Sequence, residues 1–268
     1  MGESGGILAI MQTVEDIRKR LREADAEEFS VLERSLLADT RKGVKSALEA
    51  ARRRLASEAA ENERLANLYE FEAELAGGGV AVGLDEVGRG PVAGPLTVGA
   101  VVLPREPRIE GLNDSKQLSP AHREELSLRI REVALAWTVQ HVSAGEIDTL
   151  GMSRALKQAF SQAIAAIEAQ GIHADAVLID GNPLHIDPRE HTMVKGDARC
   201  ASIAAASIVA KVERDALMCE LAKQYPAYGF ESHKGYASAE HIEAIKQYGL
   251  SPVHRATFCT AFTQETLF

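Results

Sequence analysis

The run Gly77-Gly78-Gly79 divides this chain into two stretches of unlike texture. Ahead of it, Val14 to Leu75 is rich in Ala, Glu, Leu and Arg, has no proline and has few β-branched residues, a composition of helix formers. Ile17, Leu21, Phe29, Leu32, Leu36 and Leu37 recur at near-helical spacing. Asp39-Thr40 followed by Arg41-Lys42-Gly43-Val44 reads as a break and a new helix start. Two or three helices are expected, and the run Arg52-Arg53-Arg54 on one of them is a candidate for touching phosphates, unless neighbouring acids cancel it.

After the glycines the pattern turns to strands. Val80 to Leu84 and the valine-rich Thr97 to Leu103 are apolar runs, and Ala134 to Val142 alternates. A helix is expected to begin at Ser119-Pro120, the serine as N-cap and the proline at N1. Glu146 to Gln170 reads as one long amphipathic helix, Ala176 to Ile179 as a buried strand, and Thr192 to Val194 as a further short one. Ala198 to Leu221 is a long helix whose small residues suit close packing on a sheet, 229–236 is a loop, and Ala239 to Tyr248 is the last regular helix. Early strands followed by alternating helix and strand imply an α/β fold, a mixed sheet with helices on its faces. The expected organisation is a helical extension over 1–76, a catalytic domain over 77–263 and a tail over 264–268.

The chemistry lies in four carboxylates. Asp85 and Glu86 are expected directly after the first strand, Asp180 after the fourth, and Asp197 just before the long helix. Strand ends of one α/β sheet converge on one crevice. Gathered carboxylates repel one another, and such an arrangement persists where it holds cations. All-oxygen donors suit Mg²⁺ or Mn²⁺, and two such ions about 4 Å apart promote phosphodiester hydrolysis. Cys200, Cys219 and Cys259 form no CxxC pair and read as thiols of a reducing compartment. A net charge of −9 argues against a general nucleic-acid coat protein but leaves room for a nuclease with a local basic track. No stretch approaches the roughly 18 apolar residues of a membrane span, and the amino terminus has no basic-then-apolar leader, so a cytoplasmic protein is expected.

The segment Gly88-Arg89-Gly90-Pro91-Val92-Ala93-Gly94 is spaced GxGxxxG rather than as a dinucleotide-binding GxGxxG, and Pro91 and Pro95 oppose a helix opening there. It reads better as a tight loop whose backbone approaches a sugar-phosphate chain, where the lack of a Cβ permits closeness.

Taken together, Gly83-Leu84-Asp85-Glu86-Val87-Gly88-Arg89-Gly90-Pro91-Val92-Ala93-Gly94-Pro95, Asp114-Ser115-Lys116-Gln117-Leu118, Leu178-Ile179-Asp180-Gly181-Asn182, Lys195-Gly196-Asp197 with Ser202 to Val212, Tyr228-Gly229-Phe230, His233-Lys234-Gly235-Tyr236 and His254-Arg255 resemble, in order, the motifs of the ribonuclease HII family. The resemblance spans roughly residues 80 to 260. The helical extension is similar to that of some Gram-positive members. The resemblance implies a ribonuclease-H-like mixed sheet with a C-terminal helical part. It implies hydrolysis of the RNA strand of RNA/DNA hybrids, and incision 5′ of single ribonucleotides in duplex DNA, with two Mn²⁺ or Mg²⁺ ions. It assigns Asp85, Glu86, Asp180 and Asp197 to the metals. It assigns Gly88, Arg89 and Gly90 to the ribose 2′-hydroxyl and Tyr236 to a sugar at the RNA-to-DNA junction. Lys116, Lys211 and Ser202 fall in segments facing substrate phosphates, although Lys211 also suits a solvated helix face and Ser202 a packing site. A 2′-hydroxyl distinguishes RNA from DNA at one nucleotide, and a backbone loop reads it without regard to base.

Two rival readings share parts of this pattern: a ribonuclease HIII-like enzyme that cuts runs of ribonucleotides, and a non-catalytic hybrid binder. The terminal Gln264-Glu265-Thr266-Leu267-Phe268 is similar to the short peptides that bind the sliding clamp. There Gln264 would make polar contacts while Leu267 and Phe268 enter an apolar pocket, although Glu265 departs from the Leu common at its position. The enzyme is expected to act as a monomer.

Overall fold

A computed structural model describes residues 13–263, except for the side chain of Phe262. The expected clamp peptide, Gln264 with Leu267 and Phe268, lies outside the described residues. The chain forms two compact units, 1–64 and 65–268.

In the first unit, helices α1 (Val14–Glu23) and α2 (Ala26–Leu36) are followed by the start of the long α3 (Lys42–Leu75). Reciprocal capping boxes, Thr13 with Asp16 and Asp25 with Glu28, satisfy the first amides of α1 and α2. Ile17, Leu21, Phe29, Leu32 and Leu36 are buried with Val44 and Ala51, as their spacing predicts. Leu37 is not: it sits past the last turn of α2 and is 78% exposed. The run Arg52–Arg54 is not a free basic face. Arg52 pairs with Glu33, while Arg54 pairs with Glu58 at 2.9 Å and donates to the Ala24 carbonyl at 2.5 Å.

The second unit is built on a five-stranded sheet: β1 (Ala81–Val87), β2 (Leu96–Val102), β3 (Ala136–Val142), β4 (Ala176–Asp180) and β5 (Glu190–Met193), in the order β3-β2-β1-β4-β5. β1, β2 and β3 are antiparallel neighbours, while β4 and β5 run parallel to β1. Strand alternation separates two apolar faces. Val82, Leu84, Val98 and Ala100 pack with Phe160 and Ile164 of α6 (Met152–Glu168). On the opposite face, Val101 packs with Ala204, Ala205 and Ile208 of α7 (Ala201–Gln224) and with Ile130 of α4 (Pro120–Val133). Leu65, Leu68 and Tyr69, from the last turns of α3, belong to this second cluster.

Several expected boundaries are corrected. β1 does not stop at Leu84. Antiparallel pairing with β2 continues to Val87↔Thr97, so Asp85 and Glu86 lie within the strand rather than after it, and a reading from apolar runs ends too early. The long helix expected over 146–170 is two, α5 (Ala144–Leu150) and α6, broken at Gly151 with φ +76°. The apolar periodicity runs through the break and conceals it. After α8 (Phe230–His233) and α9 (Ala239–Tyr248), the chain adds α10 (Ala256–Thr263), a helix the local pattern does not announce. Its first amides are satisfied by the carboxylate of Asp148, 108 residues upstream of Ala256, which accepts from Ala256 and Thr257 at 2.7 and 3.0 Å. All three cysteines are free. Among the described residues no helix is long and apolar enough to cross a membrane.

The N-terminus of α7 has no cap from its own N-cap residue, Cys200. Glu72 of α3 takes that role: its carboxylate accepts the Ser202 amide at 2.8 Å and the Ser202 hydroxyl at 2.6 Å. Burial pushes Glu72 up to about 7 against the opposing pull of those two hydrogen bonds. A carboxyl whose folded pKa lies above its unfolded one stabilises the fold at low pH and loses that contribution as pH rises through the folded value. Glu72→Gln does not titrate. The melting temperature of this variant relative to the parent is therefore expected to rise between about pH 5 and pH 8, by the equivalent of at most about 3 kcal/mol. A difference that stays constant across that range would contradict the burial argument.

Candidate active site

The parallel register Leu84↔Ile179 makes Asp85 and Asp180 the next positions along β1 and β4. Alternation along β1 then directs the adjacent carboxylates to opposite faces. Asp85 is buried on the α7 face, where Ser207 hydrogen-bonds it. Ser207 Oγ lies 2.8 Å from Ser115 Oγ, tying the Asp114-Ser115-Lys116 turn to the same point. Glu86 faces α6 and borders a cleft of about 340 Å³, which Arg89, Met152, Phe160, Asp180 and Asn182 also line. Arg89 Nη1 donates to Glu86 Oε1 at 3.0 Å.

Asp180 Oδ1 accepts the Gly196 amide at 2.6 Å, which holds the Lys195-Gly196-Asp197 turn against the end of β4. Lys195 enters that turn in the left-handed region, with φ +58°. The four predicted carboxylates thus sense one another. Burial, then Glu86 and Asp180, push Asp85 up to about 8. Burial also raises Glu86, opposed by Arg89. Asp197 is raised by burial and by Asp114 and Asp180, and lowered by Lys116. Asp114 is a fifth acid at the site; sequence reasoning took only Lys116 from its motif.

Among the described residues no three His, Cys, Asp or Glu side chains are already gathered around one point that would hold an ion. Glu86 is turned toward Arg89 and Asp180 toward the Gly196 amide. The donor set nevertheless fits a hard divalent cation. It is all oxygen, and Asp85, Glu86 and Asp197 are raised first by burial and then by neighbouring acids, a cost that a cation relieves.

Beside the acids, residues 88–95 form a loop held from beneath by two buried arginines. Arg255 donates to the carbonyls of Gly88 (2.6 Å), Arg89 (3.1 Å), Pro91 (2.8 Å) and Gly94 (2.9 Å). Arg214 of α7 donates to Pro95 (3.0 Å), Ala93 (3.3 Å) and Lys234 (3.0 Å). Burial lowers both guanidinium pKa values, that of Arg255 to about 10. Buried cations of this kind persist when every donor is satisfied. The sequence motifs assign neither arginine this role: Arg214 lies within the long helix, and Arg255 closes the motif series.

Tyr236 comes to the same place. It is 50% exposed, and a Cβ placed on Gly90 would lie 3.6 Å from its ring. Gly235 fixes its approach, accepting the Val92 and Ala93 amides at 2.9 and 3.2 Å.

The remaining predicted positions divide. Lys116 is exposed and within electrostatic reach of Asp197. Lys211 is engaged by Asp215 at 2.7 Å. Ser202 is fully buried, and both its hydroxyl and its amide are taken by Glu72, in keeping with the packing site that its small side chain also suits.

The loop's two glycines are expected to behave differently. Gly88 has φ +91°, and a Cβ there would overlap Arg214 and the Pro95 carbonyl; Gly90 has room for one. Gly88→Ala should lower the melting temperature by the equivalent of about 1–3 kcal/mol, whereas Gly90→Ala should leave it nearly unchanged. Equal shifts in calorimetry would refute this account of the loop.

The pattern of the family described as Ribonuclease HII matches residues 82–261, and that of the Ribonuclease HII N-terminal domain matches residues 13–76. A ribonuclease HII of Halalkalibacterium halodurans is 41% identical over 261 residues, covering 95% of this chain and 98% of that protein. The solved ribonuclease H2 of Pyrococcus horikoshii OT3 superposes with TM-score 0.58 at 29% identity, over 69% of this chain and 100% of that one. RNase HII from Archaeoglobus fulgidus, solved as a complex with PCNA, gives TM-score 0.58 at 27% identity, over 70% of this chain and 98% of that one.

Proposed function

The chain belongs to the ribonuclease HII family and is a ribonuclease H endonuclease, and from that premise we propose that it incises DNA duplexes on the 5′ side of single embedded ribonucleotides, as well as cutting the RNA strand of RNA/DNA hybrids. Enzymes of this family use divalent metal ions. The observation that carries the finer reading is the meeting of the acidic sheet edge with the Gly88–Gly90 loop and Tyr236.

Asp85, Glu86, Asp180 and Asp197 are the residues that would hold two Mg²⁺ or Mn²⁺ ions. Bound there, the ions would supply an activated water and neutralise charge at the leaving oxygen. The chain's own groups do the rest. Gly88, Arg89 and Gly90 present backbone to the 2′-hydroxyl. With the loop carbonyls of Gly88 and Arg89 fixed by Arg255, such a reader is set before substrate arrives. Tyr236 offers its ring to the sugar at the junction with DNA. Lys116 is left to steer a phosphate toward the acids, while Lys211 would need to release Asp215 to do so. Hydrolysis leaves a 5′-phosphate and a 3′-hydroxyl. In this reading residues 77–263 form the catalytic domain, 1–76 an accessory extension, and the enzyme acts as a monomer in the cytoplasm. The tail over 264–268 would bind a sliding clamp; the Archaeoglobus relative solved with PCNA lends support to a partner of this kind.

Asp180→Asn removes one ligand charge but keeps an oxygen for the Gly196 amide, so the fold should persist. Cleavage of a duplex carrying one ribonucleotide is expected to fall more than about a hundredfold, since even outer partners of metal sites contribute 10–100-fold. The assay is run with Mg²⁺, with Mn²⁺ and with chelator. Near-normal turnover by the variant would remove Asp180 from the site. A parent enzyme that cuts long hybrids but spares the single ribonucleotide would overturn the proposed specificity, and metal-independent binding without cleavage would point to a hybrid-binding protein.

A further inference from the structure

Three histidines surround the backbone of Gly235 and Tyr236, and their hydrogen bonds determine where each proton sits. His254 Nδ1 lies 2.9 Å from the Ser251 amide nitrogen, and an amide N–H can only donate. Nδ1 is therefore an acceptor, and the proton of a neutral His254 ring is on Nε2. That nitrogen is 3.0 Å from His241 Nε2, which must then accept. His241 consequently carries its proton on Nδ1, 2.8 Å from the Tyr236 carbonyl oxygen, to which it donates. His233 stacks on His241 with ring centroids 4.3 Å apart. By the same logic His233 accepts the Gly235 amide on Nδ1 (3.2 Å) and donates from Nε2 to the Tyr228 carbonyl (2.7 Å). A directed chain thus runs from Ser251 through His254 and His241 to the carbonyl of Tyr236.

The far end of the chain is anchored to the loop that faces Tyr236. His254 bridges to Ala93, Arg255 donates its amide to Val92 at 2.8 Å, and Gly94 donates to Val253 at 2.8 Å. The segment 251–255 therefore grips the 88–95 loop with its backbone and with Arg255, and grips Tyr236 through the imidazoles. One short stretch of chain sets the spacing between the two surfaces that meet at Gly90.

We propose that the His254–His241 pair is a positioning device for junction recognition: it fixes the Tyr236 carbonyl, and with it the phenol, at the distance from Gly90 that grips a single ribose. This rests on the reading of Tyr236 as a sugar-contacting residue given above. His241 and His254 are buried, so they act through Tyr236 rather than by direct contact. A long hybrid offers many equivalent registers and depends less on one well-placed ring. A lone ribonucleotide offers one.

The test compares His241→Ala and His241→Asn, each alone and combined with Tyr236→Ala, on two substrates: a DNA duplex with one ribonucleotide, and a continuous RNA/DNA hybrid. His241→Ala is expected to lower kcat/KM on the single ribonucleotide about tenfold more than on the hybrid, mainly through KM, an effect within the range for directly coupled neighbours. The asparagine amide can still donate to the Tyr236 carbonyl in place of Nδ1, so His241→Asn should recover most of the loss. In the Tyr236→Ala background His241→Ala should leave the substrate ratio unchanged. Should His241→Ala fail to fold, His254→Ala gives the same comparison with His241 in place. Equal loss on both substrates, an asparagine variant no better than alanine, or a full additional effect without Tyr236 would overturn the proposal. A parent enzyme that leaves the single ribonucleotide uncut would instead defeat the junction reading itself, and this inference with it.

Discussion

Helix α7 lies so close to strand β1 that Gly83 has no room for a methyl group: a Cβ there would overlap the backbone of Ser202 and Ile203. From this contact the rest of the catalytic unit takes its dimensions. It brings Ser207 to Asp85, and through Ser207 the turn bearing Ser115 and Lys116. It places Arg214 where three carbonyls of two loops await donors. The alanines at 204, 205, 206 and 210 make the approach possible, since each is fully buried and none projects beyond a methyl. The helix that comes this close must satisfy its own first amides, and a buried carboxylate from α3, Glu72, supplies that.

The second organising element is the pair of buried guanidinium groups beneath residues 88–95. A loop that offers its backbone outward must leave many carbonyls pointing inward, and each unpaired one would carry a large desolvation penalty. Arg255 and Arg214 satisfy them with planar arrays of donors, which an ammonium group does not provide. Polar satisfaction thus holds this loop together with the apolar packing of Val92 and Ala93 in the cluster of Met218 and Phe230. The histidine chain extends the same principle to Tyr236, with imidazole tautomers in place of guanidinium forks. Burial lowers His241 and His254, the latter to about 4, so both rings stay neutral and the directed chain is preserved near neutral pH.

The acidic edge works in the opposite sense. Asp85, Glu86 and Asp197 are each driven up by desolvation and by neighbours of like charge, and the protein offers them only Arg89, Lys116 and a few hydrogen-bond donors in relief. Arg214 and Arg255, by contrast, have their charges met by one carbonyl after another.

Much of this was legible in the residues. The helical character before Gly77, the strands after it and the family motifs follow from composition and period, because these depend on near neighbours in the chain, whereas the two compact units divide at residue 65, inside α3. The positions that the local pattern leaves open share a cause. Asp85 and Glu86 read as following β1, yet pairing with β2 keeps both within the strand. Ser202 sits in a motif yet is sealed by Glu72, 130 residues away. α10 starts on a cap supplied by Asp148, and the break at Gly151 hides inside an unbroken apolar period. Arg214, Arg255 and His241 act only on groups brought to them by folding. The sequence alone determined which family the chain resembles and the broad order of its helices and strands. The tertiary structure decided which polar groups meet, because a hydrogen bond is fixed by distance in space, and separation along the chain says little about it.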